Sequence, residues 1–216
     1  MWVNLTNKKQ LYIQEGNGKM GNIYSISVST QKCNFCEKMS KIDSICKKCY
    51  ARKTEKLYSR LEKCLSKNYD LLTTQELNNQ DLKIIQAIMY TQKALRFNAF
   101  GEIDNMTQLK NYMNIAKSCK GQKIALYTKN IKLLYEYIKD NKMPKNVNVV
   151  LSSYQIGKPL NRYNLNEQLQ DSTIFTVFKE PGEKRNCFGS ASGNVKCSNC
   201  MKCYMKKAYD IVEALH

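Results

Sequence analysis

The chain is expected to fold as an α/β protein with cysteine clusters near both termini, and three observations point there. From residue 94 to residue 178 short apolar runs alternate with amphipathic ones, a series of β-α units that builds a parallel sheet covered by helices. Eight of the ten cysteines fall into two groups with ligand-like spacing. The 216 residues carry enough apolar side chains to bury a core of ordinary size. A single domain over 1–216 is expected, with an N-terminal cysteine cluster and helix (1–66), an α/β core (67–180) and a C-terminal cysteine cluster and helix (181–216).

Residues 11–13 read as a short strand, and 23–28 alternates Ile23, Ser25 and Ser27 against Tyr24, Ile26 and Val28. Between them Gly16, Asn17, Gly18 and Gly21 make a turn-rich loop, expected as a hairpin-like connection because it lacks the strand-to-helix setting of a phosphate loop. Residues 51–66 carry Leu57, Leu61 and Leu65 at fourfold spacing among Lys and Arg, an amphipathic helix. A second helix is expected over 75–93, starting near Thr73 or Thr74. Then follow a strand at 94–100, a helix at 106–117, a strand at 123–127, a helix at 130–139 and strands at 147–152 and 174–178. The polar stretch 155–171 reads as a loop or lid, 180–198 as irregular chain that needs a staple, and 204–215 as a closing helix.

Cys33, Cys36, Cys46 and Cys49 form two C-x2-C knuckles nine residues apart, and Cys187, Cys197, Cys200 and Cys203 form C-x9-C-x2-C-x2-C. A C-x2-C turn lets two thiolates reach one metal, so all eight are candidate soft-metal ligands, with disulfides as the other reading. Cys64 and Cys119 stand alone and are expected as small buried side chains. Four thiolates in two knuckles suit a tetrahedral zinc site. Three closely spaced cysteines suit corners of a 4Fe-4S cluster, which is the favoured cofactor with zinc as the alternative. The two groups can also meet at one shared cluster.

His216 is the only histidine, which excludes Ser-His-Asp and Cys-His catalysis, His-rich zinc hydrolase sites and facial-triad iron. In a parallel sheet functional groups gather where strands end. Those ends place Gly101, Glu102, Thr128, Lys129, Asn130 and Ser152 on one rim as candidate cofactor-binding residues. Glu102 is the first candidate for catalysis, because a carboxylate there can bind a ligand amine or act as acid or base. Arg96 reads as an alternate-face strand residue. The formal charge of +17 suits an anionic partner, and Tyr50, Arg52 and Lys53 directly after the knuckles combine an aromatic with cations as base-stacking or phosphate sites do. No apolar run is long enough for a signal peptide or a membrane span, so a soluble, cytoplasmic protein is expected.

Several blocks carry a family resemblance. The run from Gly16 to Gly21, then Ser25-Ile26-Ser27, then Cys33 through Cys46-Lys47-Lys48-Cys49-Tyr50-Ala51 resembles the opening of the phage gene product 88 family. Leu95 to Glu102, Ile124 to Lys129, Asn146 to Ser152 and the terminal C-x2-C-x2-C are similar to later blocks of that family, with Asn98 where it has His and Glu102 where it has Asp. The resemblance spans nearly the whole chain, implies a phage-encoded protein in the host cytoplasm, and assigns no reaction. A more distant likeness is to radical S-adenosylmethionine enzymes. Cys46-x2-Cys49 before an aromatic, Gly101-Glu102 after one strand and Thr128-Lys129-Asn130 after the next follow that superfamily's order, although Ile42 stands where C-x3-C-x2-C needs a cysteine. This likeness implies a partial, open β/α barrel and S-adenosylmethionine as a ligand.

Two functions are therefore expected as alternatives. One is an iron–sulfur protein, enzyme-like, of unknown substrate. The other is a basic module that binds nucleic acid or a host nucleoprotein, for example as a counter-defence inhibitor, with structural metal sites.

Overall fold

A computed structural model describes residues 1–182, 185–187 and 195–215. His216, part of the stretch 180–198 and part of the C-terminal cluster's intervening chain lie outside the described residues.

Strands β1 (Trp2–Asn4) and β2 (Gln10–Tyr12) form an antiparallel pair. Strands β3 (Tyr24–Ile26), β4 (Ala94–Phe97), β5 (Lys123–Thr128), β6 (Val147–Ser152), β7 (Thr173–Phe178) and β8 (Asp210–Ala214) make a six-stranded sheet, in chain order and parallel at every pairing. Helices α1 (Asn34–Ser40), α2 (Tyr50–Leu57), α3 (Ser59–Thr74) and α4 (Asn79–Met89) lie between β3 and β4. Helices α5 (Met106–Ser118), α6 (Ile131–Asp140), α7 (Glu167–Gln170) and α8 (Cys197–Cys200) occupy the next four connections. The predicted alternation of strand and helix through the middle of the chain is therefore present.

Four expectations are corrected. Residues 204–215 do not form a helix: the stretch ends in β8, whose Ile211 and Glu213 are buried on alternate positions against β7, and β-branched Ile211 and Val212 suit a pleated edge. The single helix over 51–66 is two helices, because Tyr58 leaves helical backbone (φ −120°, ψ 89°) and puts Leu57 77% into solvent while Leu65 is buried. The helix expected over 75–93 begins later, since Asn78 caps it in a reciprocal pair with Asp81, and Thr73 and Thr74 belong to the end of α3. β2 pairs with β1 rather than forming a hairpin with β3; one bridge, Gln14 to Ser25, joins these segments.

The sheet has two different faces. Toward the helices it presents Ile26, Leu95, Phe97, Ile124, Leu126 and Leu151, buried against Leu109, Tyr112, Leu134 and Ile138. Phe97 and Tyr112 stack with centroids 4.2 Å apart. Toward the other side it presents Ala94, Arg96, Ala125, Tyr127, Asn148, Val150 and Phe175, partly covered by the cysteine-rich segment through Tyr204. All six residues of β6 are buried, as expected for a central parallel strand covered on both faces.

The segments leading into the two outer strands reach toward one another across the sheet. A flat sheet of six strands holds its edges about 24 Å apart at about 4.8 Å per gap. Here Lys19, on the turn before β3, pairs with Glu213 on β8. Gly21 (φ +68°) is so close to Ser198 that a Cβ there would overlap the hydroxyl. The sheet is therefore strongly curved, with its non-helical face on the inside. Among the described residues no helix is long and apolar enough to cross a membrane.

Candidate metal centre

The concave face encloses a cavity of about 930 Å³, and cysteines from both ends of the chain line it. From the N-terminal cluster these are Cys36, Cys46 and Cys49; from the C-terminal one, Cys187, Cys197, Cys200 and Cys203. None of the ten cysteines forms a disulfide. Cys64 and Cys119 are buried elsewhere, as expected of small apolar side chains.

The N-terminal knuckles sit on the connection that leaves β3 and are anchored by two carboxylates. Glu55 of α2 is buried and accepts from the Thr30 amide at 2.7 Å and from the hydroxyls of Ser29 and Thr30, so the helix after the knuckles is tied to the exit of β3. Asp104 accepts from the amides of Phe35 (2.7 Å) and Asn34 (3.1 Å), the Asn34 side chain (2.9 Å) and the Tyr69 hydroxyl (2.6 Å). Burial pushes this carboxyl up, but these donors outweigh it and hold it below the usual range. Between the knuckles, the Ile45 amide donates to Tyr154 O at 2.8 Å, fixing the loop to the exit of β6.

Cys33 does not line the cavity, but its sulfur stays beside Cys36 in the same turn. It is fully buried, caps α1 by accepting from the Cys36 amide at 3.3 Å, and its thiol faces Glu102 O and Asp104. The Cys36 thiol is pushed up by its hydrogen bond to Cys33, then by burial and neighbouring charges. Cys46 is pushed up by burial, opposed chiefly by the positive charge of Lys129. In the C-terminal set burial raises Cys203 to about 11, against a hydrogen bond from Tyr127, and it raises Cys197 against Arg96 and Lys19. The Cys203 carbonyl accepts from Asn148 of β6 at 2.9 Å, seating this segment on the concave face.

Within each set the thiols act on one another. Cys36 senses Cys33 and Cys49, while Cys203 senses Cys187 and Cys197. Among the described residues no three His, Cys, Asp or Glu side chains close around a point as ligands of a single ion do. Seven thiols line one cavity; the positive charge of Lys129 opposes the upward push of burial at Cys46, and that of Arg96 and Lys19 opposes it at Cys197.

The rim residues divide by function. Gly101 (φ +72°) passes so close to Val28 O that no Cβ fits, which brings Glu102 to the cavity. Glu102 is buried and accepts from the amides of Ile103 (2.9 Å) and Lys129 (2.7 Å), one on each oxygen, clamping the β4 exit to the β5 exit. Burial raises its pKa despite those bonds and the Lys129 charge. The Thr128 hydroxyl is a third donor to this carboxylate, so one of its four lone pairs is left. Thr128, Lys129 and Ser152 line the same cavity. Asn130 does not: its side chain caps α6 at Leu133 and donates to Ile103 O at 3.0 Å. Asn98, at φ +60°, links the Tyr112 hydroxyl to Tyr127 O, a structural task for a residue type that tolerates left-handed backbone.

Sequence reasoning passed over Arg96, Tyr127, Gln14 and Lys19, all of which line the cavity. The signal for Arg96 lay in the alternation of β4, where a cation shares with Ala94 the face opposite Leu95 and Phe97.

Fold and site together define a parallel α/β protein with a thiol-lined chamber on the concave face of its sheet. Residues 3–211 match the family model described as Gene product 88, and the chain belongs to that phage protein family. No curated protein and no solved structure matches it.

Proposed function

We propose that this phage protein is an iron–sulfur protein of enzymatic type, built on an open β/α barrel and working in the host cytoplasm. Cys36, Cys46 and Cys49 would hold a 4Fe-4S cluster at the exit of β3, and Cys187, Cys197, Cys200 and Cys203 would hold a second metal group against the concave face. The observation that carries this reading is that thiols from both ends of the chain line one cavity at the exits of a curved parallel sheet. Thiols spread along a wall suit a polynuclear cluster, whose irons occupy separate corners, better than one zinc ion. When bound, such a cluster supplies one-electron chemistry at low potential.

The chain's own residues have defined tasks. Lys129 offsets thiolate charge at Cys46, and Cys33 orients the first knuckle through the Cys36 amide. Glu102 holds two strand exits together and keeps a carboxylate lone pair at the chamber, where it can accept from a ligand amine. S-adenosylmethionine is the ligand proposed for the rim of Gly101, Glu102, Thr128, Lys129 and Ser152.

The test is anaerobic purification of the full chain with iron and sulfide analysis. Iron and sulfide in the wild type, lost in Cys46→Ser and Cys49→Ser but kept in Cys64→Ser, support the reading. Zinc alone, or iron indifferent to Cys46 and Cys49, refutes it. Reductive cleavage of S-adenosylmethionine by the loaded protein separates an enzyme from a scaffold.

A second reading, binding of nucleic acid or a nucleoprotein, is favoured by one feature. Lys47, Arg52, Lys53 and Lys56 surround a smaller pocket of about 290 Å³ beside Cys46 and Cys49, with Tyr50 and Tyr58 exposed nearby. RNA or DNA affinity that falls steeply with salt, and falls again in Lys53→Glu, would support it.

A further inference from the structure

We infer that the chamber contains an oxyanion subsite centred on Arg96, for a ligand that presents a carboxylate or phosphate next to a hydrogen-bond donor taken by Gln14. The inference rests on the chamber being a ligand site, as proposed above, and not on which metal it holds.

The Arg96 guanidinium stays charged at any physiological pH. Its Nε is buried without a hydrogen-bond partner among the described residues, and no carboxylate among them forms an ion pair with it. Its titratable neighbours are Tyr127, Tyr50, Tyr204 and Cys197, and the two acids that line the same cavity are engaged, Glu213 with Lys19 and Glu102 with two backbone amides. What Arg96 does have is the Tyr127 ring, 3.8 Å from its central carbon to the ring centroid. A ring against its face leaves the guanidinium edge for acceptors in its own plane, the geometry in which a carboxylate or phosphate binds through two parallel bonds. A buried donor left unmatched is costly, so a position like this points to an acceptor from the ligand.

A second orphan lies two strand positions away on the same face. Gln14 Oε1 is buried with no donor among the described residues. Gln14 bridges Ser25, and Ser25 is in register with Arg96, so all three side chains share the concave face, and Gln14 and Arg96 both line the cavity. A donor and an acceptor two strands apart match a ligand in which an oxyanion sits close to an ammonium or hydroxyl, as in an α-amino acid or a phosphorylated alcohol.

The experiment is calorimetric titration of the full chain, both iron-loaded and after chelation, with inorganic phosphate, acetate and glycine. Wild type is expected to bind an oxyanion in both states, and Arg96→Met to bind it about tenfold or more weakly. Preference for phosphate assigns a phosphoryl ligand; glycine binding more tightly than acetate assigns an amino acid, an advantage that Gln14→Leu should abolish. If Arg96→Met does not fold, phenylglyoxal labelling of wild-type Arg96 read by mass spectrometry replaces it, with protection by the bound oxyanion expected. No oxyanion binding by wild type, equal binding by Arg96→Met, or unprotected labelling overturns the subsite. Failure to find iron would remove the iron–sulfur reading and leave this result standing; absent oxyanion binding in an iron-loaded protein would remove the subsite alone.

Discussion

Replacing Asp104 by Ala isolates the anchorage of the first cysteine knuckle. The carboxylate receives two backbone amides at the start of α1, the Tyr69 hydroxyl and the Asn34 side-chain amide, the last exposed and so replaceable by water at little cost. Each amide bond at a helix start is worth about 1 kcal/mol, and the hydroxyl bond to a charged acceptor about 1.5 kcal/mol. Donors that share one carboxylate are not independent, so the loss is set slightly below the sum, at about 3 kcal/mol. Urea unfolding should show that loss. Hydrogen exchange should show the amides of Asn34 and Phe35 opening ahead of the sheet, because the anchor is local. Asp70→Ala is the control: its pair with Lys32 is solvent-exposed and should cost under about 1 kcal/mol. A loss in Asp104→Ala no larger than in Asp70→Ala, with knuckle amides still protected, would refute the claim that Asp104 holds the knuckle.

Phe97→Ala removes a fully buried ring stacked on Tyr112 and should cost about 3–5 kcal/mol in urea unfolding. Burial pushes the Asp81 carboxyl up, but bonds from Lys9 and Thr6 outweigh it and depress its folded pKa. Its stabilisation is thus fully present above the unfolded value of about 3.9 and is lost as pH falls through the lower folded value; an acid titration of stability should show this, and Asp81→Asn should flatten it. Lys19→Met removes the ion pair between the turn before β3 and β8, and faster hydrogen exchange in β8 than in β5 is the expected result; unchanged β8 exchange would mean that the curvature does not depend on that pair.

Much of the fold was legible because local and global preferences agree in the middle of the chain. From Ala94 to Phe178, β-branched runs and amphipathic helices occur at their natural periods, and the Val147–Ser152 strand is where the pattern puts it. Where they disagree, tertiary context won. The leucine spacing through Leu57, Leu61 and Leu65 is helical, yet a break at Tyr58 turns Leu57 outward. The final segment has helix-forming Lys, Glu and Ala, but the edge of β7 was open to a further strand, and pairing there recruited it. At the site, the cysteine spacing identified the groups that line the chamber, and the strand exits located Glu102, Thr128, Lys129 and Ser152. Spacing paired Cys33 with Cys36, whose amide its sulfur accepts, but gave no warning that Asn130 would be used as a cap. Arg96 was passed over because its importance comes from what surrounds it: a curved sheet, the face of Tyr127, and no acidic partner among the described residues.

The central claim is that these cysteines hold an iron–sulfur group, and native mass spectrometry of the anaerobically purified full chain tests it most directly. The native spectrum should exceed the denatured one by the mass of at least one 4Fe-4S cluster, and that increment should vanish in the Cys36→Ser, Cys46→Ser, Cys49→Ser triple variant if the second set holds no cluster, or shrink by one cluster if it does. A bare chain, a chain lighter by pairs of hydrogens from disulfide formation, or an increment of zinc alone would contradict it.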